Sequence, residues 1–224
     1  MSHILDRPIW SALGTLQAAF SSGEGLARRF PADVSPFVAA RDGSPRAIAE
    51  LVALIPRGDD VSFLEIAPPR PPERIEASER ACLQMTLRSF ARAARDVGAQ
   101  ALGETDAGEM LALALLTRPG PFRPRTHVLG RFIGVRAEGR LVAMAGERLR
   151  APGFTEVSAV CTHPDWQGRG LGGALLQQVG ERILREGDTP FLHTYAHNAP
   201  AVALYTKLGF NVRSQIVHAV WKRV

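Results

Sequence analysis

Val157-Ser158-Ala159-Val160-Cys161-Thr162, then His163-Pro164-Asp165-Trp166, then Gln167-Gly168-Arg169-Gly170-Leu171-Gly172-Gly173 is the stretch that decides the fold. Small and β-branched residues followed by a proline read as a buried strand that stops at His163. Beyond the glycines, Leu171, Leu175, Val179 and Ile183 recur every four residues, the spacing of one helical face, and Gly187 follows Arg185 and Glu186 as a stop signal. The segment is therefore strand, glycine-rich turn, helix. Such a turn directs several unpaired backbone N–H groups and the positive end of the helix dipole at one point, and glycines let an anion come close. A phosphate-binding site is expected there.

Gly168, Gly170 and Gly173 satisfy the dinucleotide pattern G-x-G-x-x-G, but in that fold the first glycine follows its strand almost directly and an acidic residue closes the next strand. Here His163 to Gln167 intervene, the next strand ends in His197-Asn198, and residues 174–224 are too few for a doubly wound sheet. Gln167-x-x-Gly170-x-Gly172 instead resembles the acetyl-CoA pyrophosphate loop of the GCN5-related N-acetyltransferases. Downstream, Asn198-Ala199-Pro200-Ala201-Val202-Ala203-Leu204-Tyr205-Thr206-Lys207-Leu208-Gly209-Phe210 reads as a short helix, with Asn198 as N-cap, Pro200 in the first turn and Gly209 as the left-handed stop. It is similar to that family's second motif, Asn, then Ala, then Leu-Tyr, then Leu-Gly-Phe. With both motifs in order and at the family's spacing, residues 80–224 are identified as a member of the GNAT superfamily with an FR47-like C-terminal domain. The resemblance implies an α/β (α+β) fold: a central mixed, mostly antiparallel sheet flanked by helices, preceded by a small N-terminal α/β unit.

A chain of 224 residues, 46% hydrophobic, can bury a full core. No apolar run approaches a membrane span, and Met1-Ser2-His3-Ile4-Leu5-Asp6 lacks the regions of a secretory signal, so a cytoplasmic protein without a membrane partner is expected. Net charge is +5; residues 1–100 hold 12 Arg against 12 Asp plus Glu, so the remaining 15 basic against 10 acidic residues carry the whole excess. That excess sits on the half with the phosphate loop, where it suits a polyanionic cofactor. The basic residues are scattered without interleaved aromatics, which argues against nucleic acid. Cys82 and Cys161 cannot make a disulfide framework or a zinc pair.

Along the chain, helices are expected over 8–20 and from Ser44-Pro45 to Leu54, with strands at Phe37 to Ala40 and, half-buried, at Val61 to Ile66. Ala67-Pro68-Pro69-Arg70-Pro71-Pro72 reads as a stiff extended linker and places a domain boundary there, 1–75 against 76–224. The first unit is read either as a small α/β domain or as a degenerate GNAT-like half. In the second, Ala81 to Arg88 is the first strand, Asp106 with Glu109 starts a helix, and Glu138-Gly139 turns a hairpin between Phe132 and Ala145. Strands at Phe191 to Ala196 and, as a strand or hairpin, Asn211 to Lys222 complete it.

The resemblance implies acetyl-CoA as cofactor and an amine as acceptor, with direct transfer. Val160, Cys161 and Thr162 match the splayed strand whose backbone pairs with the pantetheine arm. Gln167, Gly168, Arg169, Gly170, Leu171, Gly172 and Gly173 match the pyrophosphate loop, and Asn198 a cofactor contact that N-capping alone would also explain. Tyr205 matches the general acid to the coenzyme A thiolate; the competing reading is a packed tyrosine beside Leu204 and Leu208. The general base is Glu156 or His193, with Glu147 a third candidate, and Glu156 is the first expectation. Pro119-Gly120-Pro121-Phe122 and Arg123 to Arg125 match the region that shapes the acceptor site. His193 and His197, four residues apart on a strand, stand about 13 Å apart, too far to share a metal. Cys161 inside a buried strand is a poor nucleophile. A homodimer is compatible with the sequence, and a non-catalytic acyl-CoA-binding module is the alternative function.

Overall fold

The computed structural model describes residues 3–23 and 25–224. Met1, Ser2 and Glu24 lie outside that description, and with them the first two residues of the segment read as lacking a secretory signal. The chain runs α1 (Pro8–Gly14), β1 (Ala27–Arg29), β2 (Val38–Ala40), α2 (Pro45–Ala53), β3 (Asp60–Glu65), β4 (Ile75–Thr86), β5 (Gln100–Leu102), α3 (Ala107–Thr117), β6 (Phe132–Ala137), β7 (Arg140–Ala151), β8 (Phe154–Thr162), α4 (Leu171–Arg185), β9 (Thr189–Tyr195), α5 (Ala199–Lys207) and β10 (Asn211–Arg223), with short 3₁₀ turns between. Eight strands form one sheet in the order β3-β10-β4-β9-β8-β7-β6-β5, and β1 with β2 forms a separate ribbon. Among the paired strands of this sheet in the described residues, β8 and β9 alone run parallel. This is the mixed, mostly antiparallel sheet flanked by helices that the resemblance implies.

Side chains alternate across the sheet, so each strand feeds two cores. On one face Leu175, Leu176, Val179 and Ile183 of α4 pack on Met85, Val142, Ala143, Val157 and Leu192. On the other, Leu5, Ile9, Leu13, Phe30 and Phe37 pack on Leu64, Cys82, Leu149, Phe191 and Ile216. Met110 and Leu113 of α3 cover Met144, Ala159 and Cys161 on that same face.

The expected boundary at 75/76 does not divide the core. β3 pairs with β10 from Asp60↔Lys222 to Glu65↔Val217, and the N-terminal apolar residues fill a core whose other half is β4, β7, β9 and β10. The proline segment is an exposed connection between two adjoining parts of one body. β3, expected half-buried, is buried from Val61 to Glu65 because the N-terminal layer covers it. Residues 3–75 hold a ribbon, two helices and an edge strand, which do not repeat the hairpin, strand, loop and helix order of residues 132–185. The helix expected over 8–20 breaks at Gly14 and resumes as a 3₁₀ turn at Ala18–Phe20. β4 starts at Ile75 instead of Ala81, because β10 pairs with residues 75–81, which are mostly exposed and carry no apolar alternation to signal a strand. The C-terminal segment is one strand, not a hairpin.

One irregularity positions the site. β8 pairs with β7 as Met144↔Cys161 and Gly146↔Ser158, so Ala159 and Val160 face the single residue Ala145. Ala159 has φ +53°, and such a bulge bends and twists its strand. β8 pairs with β9 only from Phe154↔Thr189 to Glu156↔Phe191; beyond that, β9 follows β4 and β8 follows β7. The sheet opens into a V at Glu156.

Candidate active site

The glycine turn follows from its backbone. His163-Pro164 ends β8, a 3₁₀ turn at Pro164–Trp166 redirects the chain, and Gly170 begins α4. Gly168 and Gly170 both take φ +75°, a left-handed conformation that side chains resist. At Gly172 an added Cβ would stand 3.3 Å from Thr162 Oγ1, and at Gly173 3.3 Å from Leu204 Cδ1. Two glycines therefore serve the turn and two keep a groove open. The first helical hydrogen bond runs from the Ala174 N–H to the Gly170 carbonyl, and among the described residues the amides of residues 168 to 173 find no acceptor. Six free N–H groups at a helix N-terminus form an anion cradle. Around it stand Arg95, whose Nη2 donates to the Arg169 carbonyl at 2.8 Å, Arg169, stacked 4.1 Å from the Trp166 ring centroid, and Lys207. Arg95 and Lys207 carried no signal in the sequence motifs.

From the cradle the groove continues past Thr162, Gln167, Gly172 and Leu204 into the V. There it becomes a cleft of about 430 Å³ bounded by β8 from Glu156 to Thr162, by Leu192 to Tyr195 of β9, and by Asn198, Leu204 and Tyr205. Thus Val160, Cys161, Thr162, Asn198 and Tyr205, all expected at the cofactor, line one cavity. Asn198 caps α5, its Oδ1 accepting from the Ala201 N–H at 3.3 Å. Tyr205 packs at a tilt near Phe210, and its hydroxyl has no protein partner among the described residues. Burial raises its pKa, so the ring is a neutral proton donor. Burial also pushes the Cys161 and Cys82 thiols up to about 11, which removes thiolate chemistry.

The base candidates sit in a buried hydrogen-bonded network. Glu156 is fully buried: its Oε1 accepts from Arg148 Nη2 and His193 Nδ1, both at 2.7 Å, and its Oε2 from Arg148 Nε at 2.9 Å and the Leu149 N–H at 3.3 Å. Burial alone would raise this carboxyl, but the charge and hydrogen bonds of Arg148, with His193 behind them, hold it down at about 2. Every acceptor position is filled, so Glu156 has none to offer an incoming proton.

His193 is equally committed. Its Nε2 lies 2.9 Å from Gln84 Nε2, an amide nitrogen that also donates to the Leu5 carbonyl at 2.9 Å. Gln84 Oε1 accepts from Arg213 Nε, and Arg213 Nη2 donates to Asp6 Oδ1 at 2.7 Å. An amide nitrogen can only donate, so His193 Nε2 accepts and Nδ1 carries the proton toward Glu156. The result is a chain from Asp6 through Arg213, Gln84, His193 and Glu156 to Arg148, crossing β10, β4, β9, β8 and β7. Glu147 lies elsewhere, clamped by Arg131 at 3.2 Å and Arg182 at 3.0 Å.

The far end of the cleft is walled by Phe37 and Leu64 from the N-terminal layer, by Thr117 to Pro121 after α3, and by Arg148 and His218. Pro119-Gly120-Pro121 was expected at an acceptor site. Arg148, Gln84, Arg213 and His218 were not anticipated, since each sits on a strand where an isolated polar residue gives no motif.

Comparison with known proteins agrees with this geometry. A model of the FR47-like protein family matches residues 132–221. A solved structure from Novosphingobium aromaticivorans, described as an acetyltransferase of the GNAT family, is 41% identical, covers 100% of both chains and superposes with a TM-score of 0.93. Mycothiol acetyltransferase of Corynebacterium aurimucosum is 41% identical over 73 residues, 32% of this chain and 23% of that protein. The N-alpha-acetyltransferase RimI of Mycobacterium tuberculosis is 38% identical over 90 residues, 39% of this chain and 53% of that protein. The chain thus matches only about a quarter of the mycothiol enzyme and half of the other. The full-length likeness at 41% identity, together with the loop, the V and the tyrosine helix, makes this chain a member of the GNAT family of acetyltransferases.

Proposed function

We propose that the protein transfers an acetyl group from acetyl-CoA directly to a primary amine, in the cytoplasm and without nucleic acid or membrane as partner. One observation carries this reading: the free amides of residues 168 to 173 open into the same groove as the split between β8 and β9, with Tyr205 beside it. The cradle suits the pyrophosphate, with Arg95, Arg169 and Lys207 adding positive charge. The unpaired edge of β8 from Val160 to Thr162 offers backbone groups to the amide-bearing pantetheine arm, as an added strand would. In the transfer, the amine nitrogen bonds to the thioester carbonyl carbon, the carbon–sulfur bond breaks, and the departing sulfur takes its proton from the Tyr205 hydroxyl. The amine's own proton passes to water in the open cleft, and water returns one to the Tyr205 phenolate, so the net transfer is from amine to thiol. Glu156 and His193 act as positioning residues that hold Arg148 and the wall of β9.

The alternative, a non-catalytic acyl-CoA-binding module, shares the cradle and lacks only turnover. The experiment is calorimetric titration with coenzyme A followed by thiol-release assays with acetyl-CoA and a panel of amines, amino acids and peptides. Binding together with acceptor-dependent thiol release is expected, and binding without release for any acceptor would favour the module. Gly172→Leu should abolish coenzyme A binding while the protein stays folded, because the backbone there needs no left-handed angle and only the groove is filled. Unchanged affinity in that variant would remove the cradle assignment.

A further inference from the structure

Two donors at the acceptor end have no hydrogen-bond partner among the described residues, and one of them, His218 Nε2, is fully buried. Arg148 uses Nε and Nη2 on Glu156, while its Nη1 makes no hydrogen bond among the described residues and points past the Gly120 loop, 3.9 Å from where a Cβ on Gly120 would stand. The residue is only 7% exposed. His218 on β10 is 8% exposed, and its Nε2 is a buried polar atom without a partner. Both residues line the same cleft. Buried polar groups are nearly always hydrogen-bonded, so an orphaned His218 Nε2 and a free Arg148 Nη1 on two residues that line one cavity point to a ligand that supplies acceptors.

The sign of that ligand follows from the lining. Glu156 is the one carboxylate among the cleft residues, and Arg148 neutralises it by a two-point contact. Arg118, at the rim, has no ion-pair partner among the described residues. Nothing in the cleft would hold a second ammonium, and a polyamine or a lysine-rich peptide would meet the unpaired Arg118 at the rim. The Tyr195 hydroxyl lies 3.1 Å from His218 Nδ1. With that hydroxyl donating, the ring's proton sits on the buried Nε2. Burial, then the charge of Arg148 and Arg80 and the neighbouring His193, hold this imidazole down to about 4, so it enters as a neutral donor.

We propose that Arg148 Nη1 and His218 Nε2 form a carboxylate subsite, and that the acceptor is a small amino acid carrying its acid group beside the reacting amine. The proposal rests on the acetyl-transfer reading and deepens it. Phe37 and Leu64, roofing the same end, would receive the acceptor's apolar part, and Phe37 is already fixed by the Arg148 guanidinium 4.7 Å from its ring centroid.

The test separates the subsite from catalysis by using products. Binding of N-acetyl-alanine, N-acetyl-leucine and N-acetyl-phenylalanine, and of the corresponding N-acetyl amino-acid amides, is measured by calorimetry on the coenzyme A-loaded protein. At least one acid should bind about 10-fold or more tighter than its amide, as expected for a charge-assisted contact. The preference should vanish in His218→Phe and in the paired variant Arg148→Met with Glu156→Gln, which leaves no buried charge unmatched. Equal binding of acids and amides, no binding of any acid, or a preference that survives both variants would overturn the subsite. Acid-selective binding without turnover on the parent amino acids would instead leave the subsite standing and count against the acetyl-transfer reading.

Discussion

Arg148 on β7 and Glu156 on β8 are joined by two parallel hydrogen bonds, Nε to Oε2 at 2.9 Å and Nη2 to Oε1 at 2.7 Å, with neither side chain more than 8% exposed. The native carboxyl lies at about 2, below its ordinary 4.5. Its contribution to stability is therefore fully present above pH 4.5 and lost as pH falls through about 2. Urea denaturation across pH 2 to 7 should show the parent protein weakening over that window. Glu156→Gln should be flatter there and weaker at neutral pH by ~3–5 kcal/mol, the usual cost of stranding one partner of a buried pair. Parallel stability curves for the two proteins would show that Glu156 does not titrate as described.

The same saturation sets the pH dependence of turnover. If neither Glu156 nor His193 takes a proton, the acidic limb of kcat/KM belongs to the acceptor amine, which must enter unprotonated. Two acceptors with amine pKa values well apart should give acidic limbs displaced by that same difference. A limb at fixed pH for both, disappearing in a folded Glu156→Gln or His193→Gln protein, would restore one of them as the base.

Much of this was legible in the chain, and the reasons differ by element. The turn at Gly168 to Gly173 and the helix from Asn198 to Gly209 depend on local backbone chemistry, so residue type and spacing suffice. The hairpin at Glu138-Gly139 was equally readable, both residues taking positive φ as that turn demands. The setting of Glu156 was not legible, because sequence gives its position at the head of β8 but not Arg148 eight residues earlier, brought opposite by the β7–β8 pairing. The same holds for Gln84 and Arg213, whose link to His193 exists only through pairing of β10, β4 and β9. The core shared across 75/76 was not legible, because a proline run signals a stiff connection and says nothing about whether the surfaces it connects adhere.

That adhesion makes a prediction about truncation. Leu5, Ile9, Leu13, Phe30 and Phe37 are at most 1% exposed, and burying each is worth roughly 1.5–3 kcal/mol, together on the order of 10 kcal/mol before chain entropy. That is comparable with the whole stability of an ordinary domain. A chain starting at residue 76 would also bare the edge of β10 that β3 covers. It should lose cooperative unfolding in circular dichroism melts and form aggregates in sedimentation. A soluble truncation with a sharp transition and intact coenzyme A binding would show residues 76–224 to be an independent domain after all.

Tyr205 tests the chemistry itself. Its ring packs near Phe210 with centroids 6.3 Å apart, while its hydroxyl has no protein partner to lose. Tyr205→Phe should therefore keep the melting temperature and the affinity for acetyl-CoA within small error, because only a cleft-facing oxygen is removed. Turnover should still fall by ~10²–10⁴-fold, the usual contribution of a positioned general acid, provided the chemical step limits the rate. A burst or single-turnover experiment establishes that condition. The defect should shrink with an acyl donor whose leaving thiol is more acidic, since such a thiolate departs without needing a proton. If the variant turns over at the parental rate with chemistry limiting, or if the defect is the same for basic and acidic leaving thiols, Tyr205 serves only to pack α5 against the sheet.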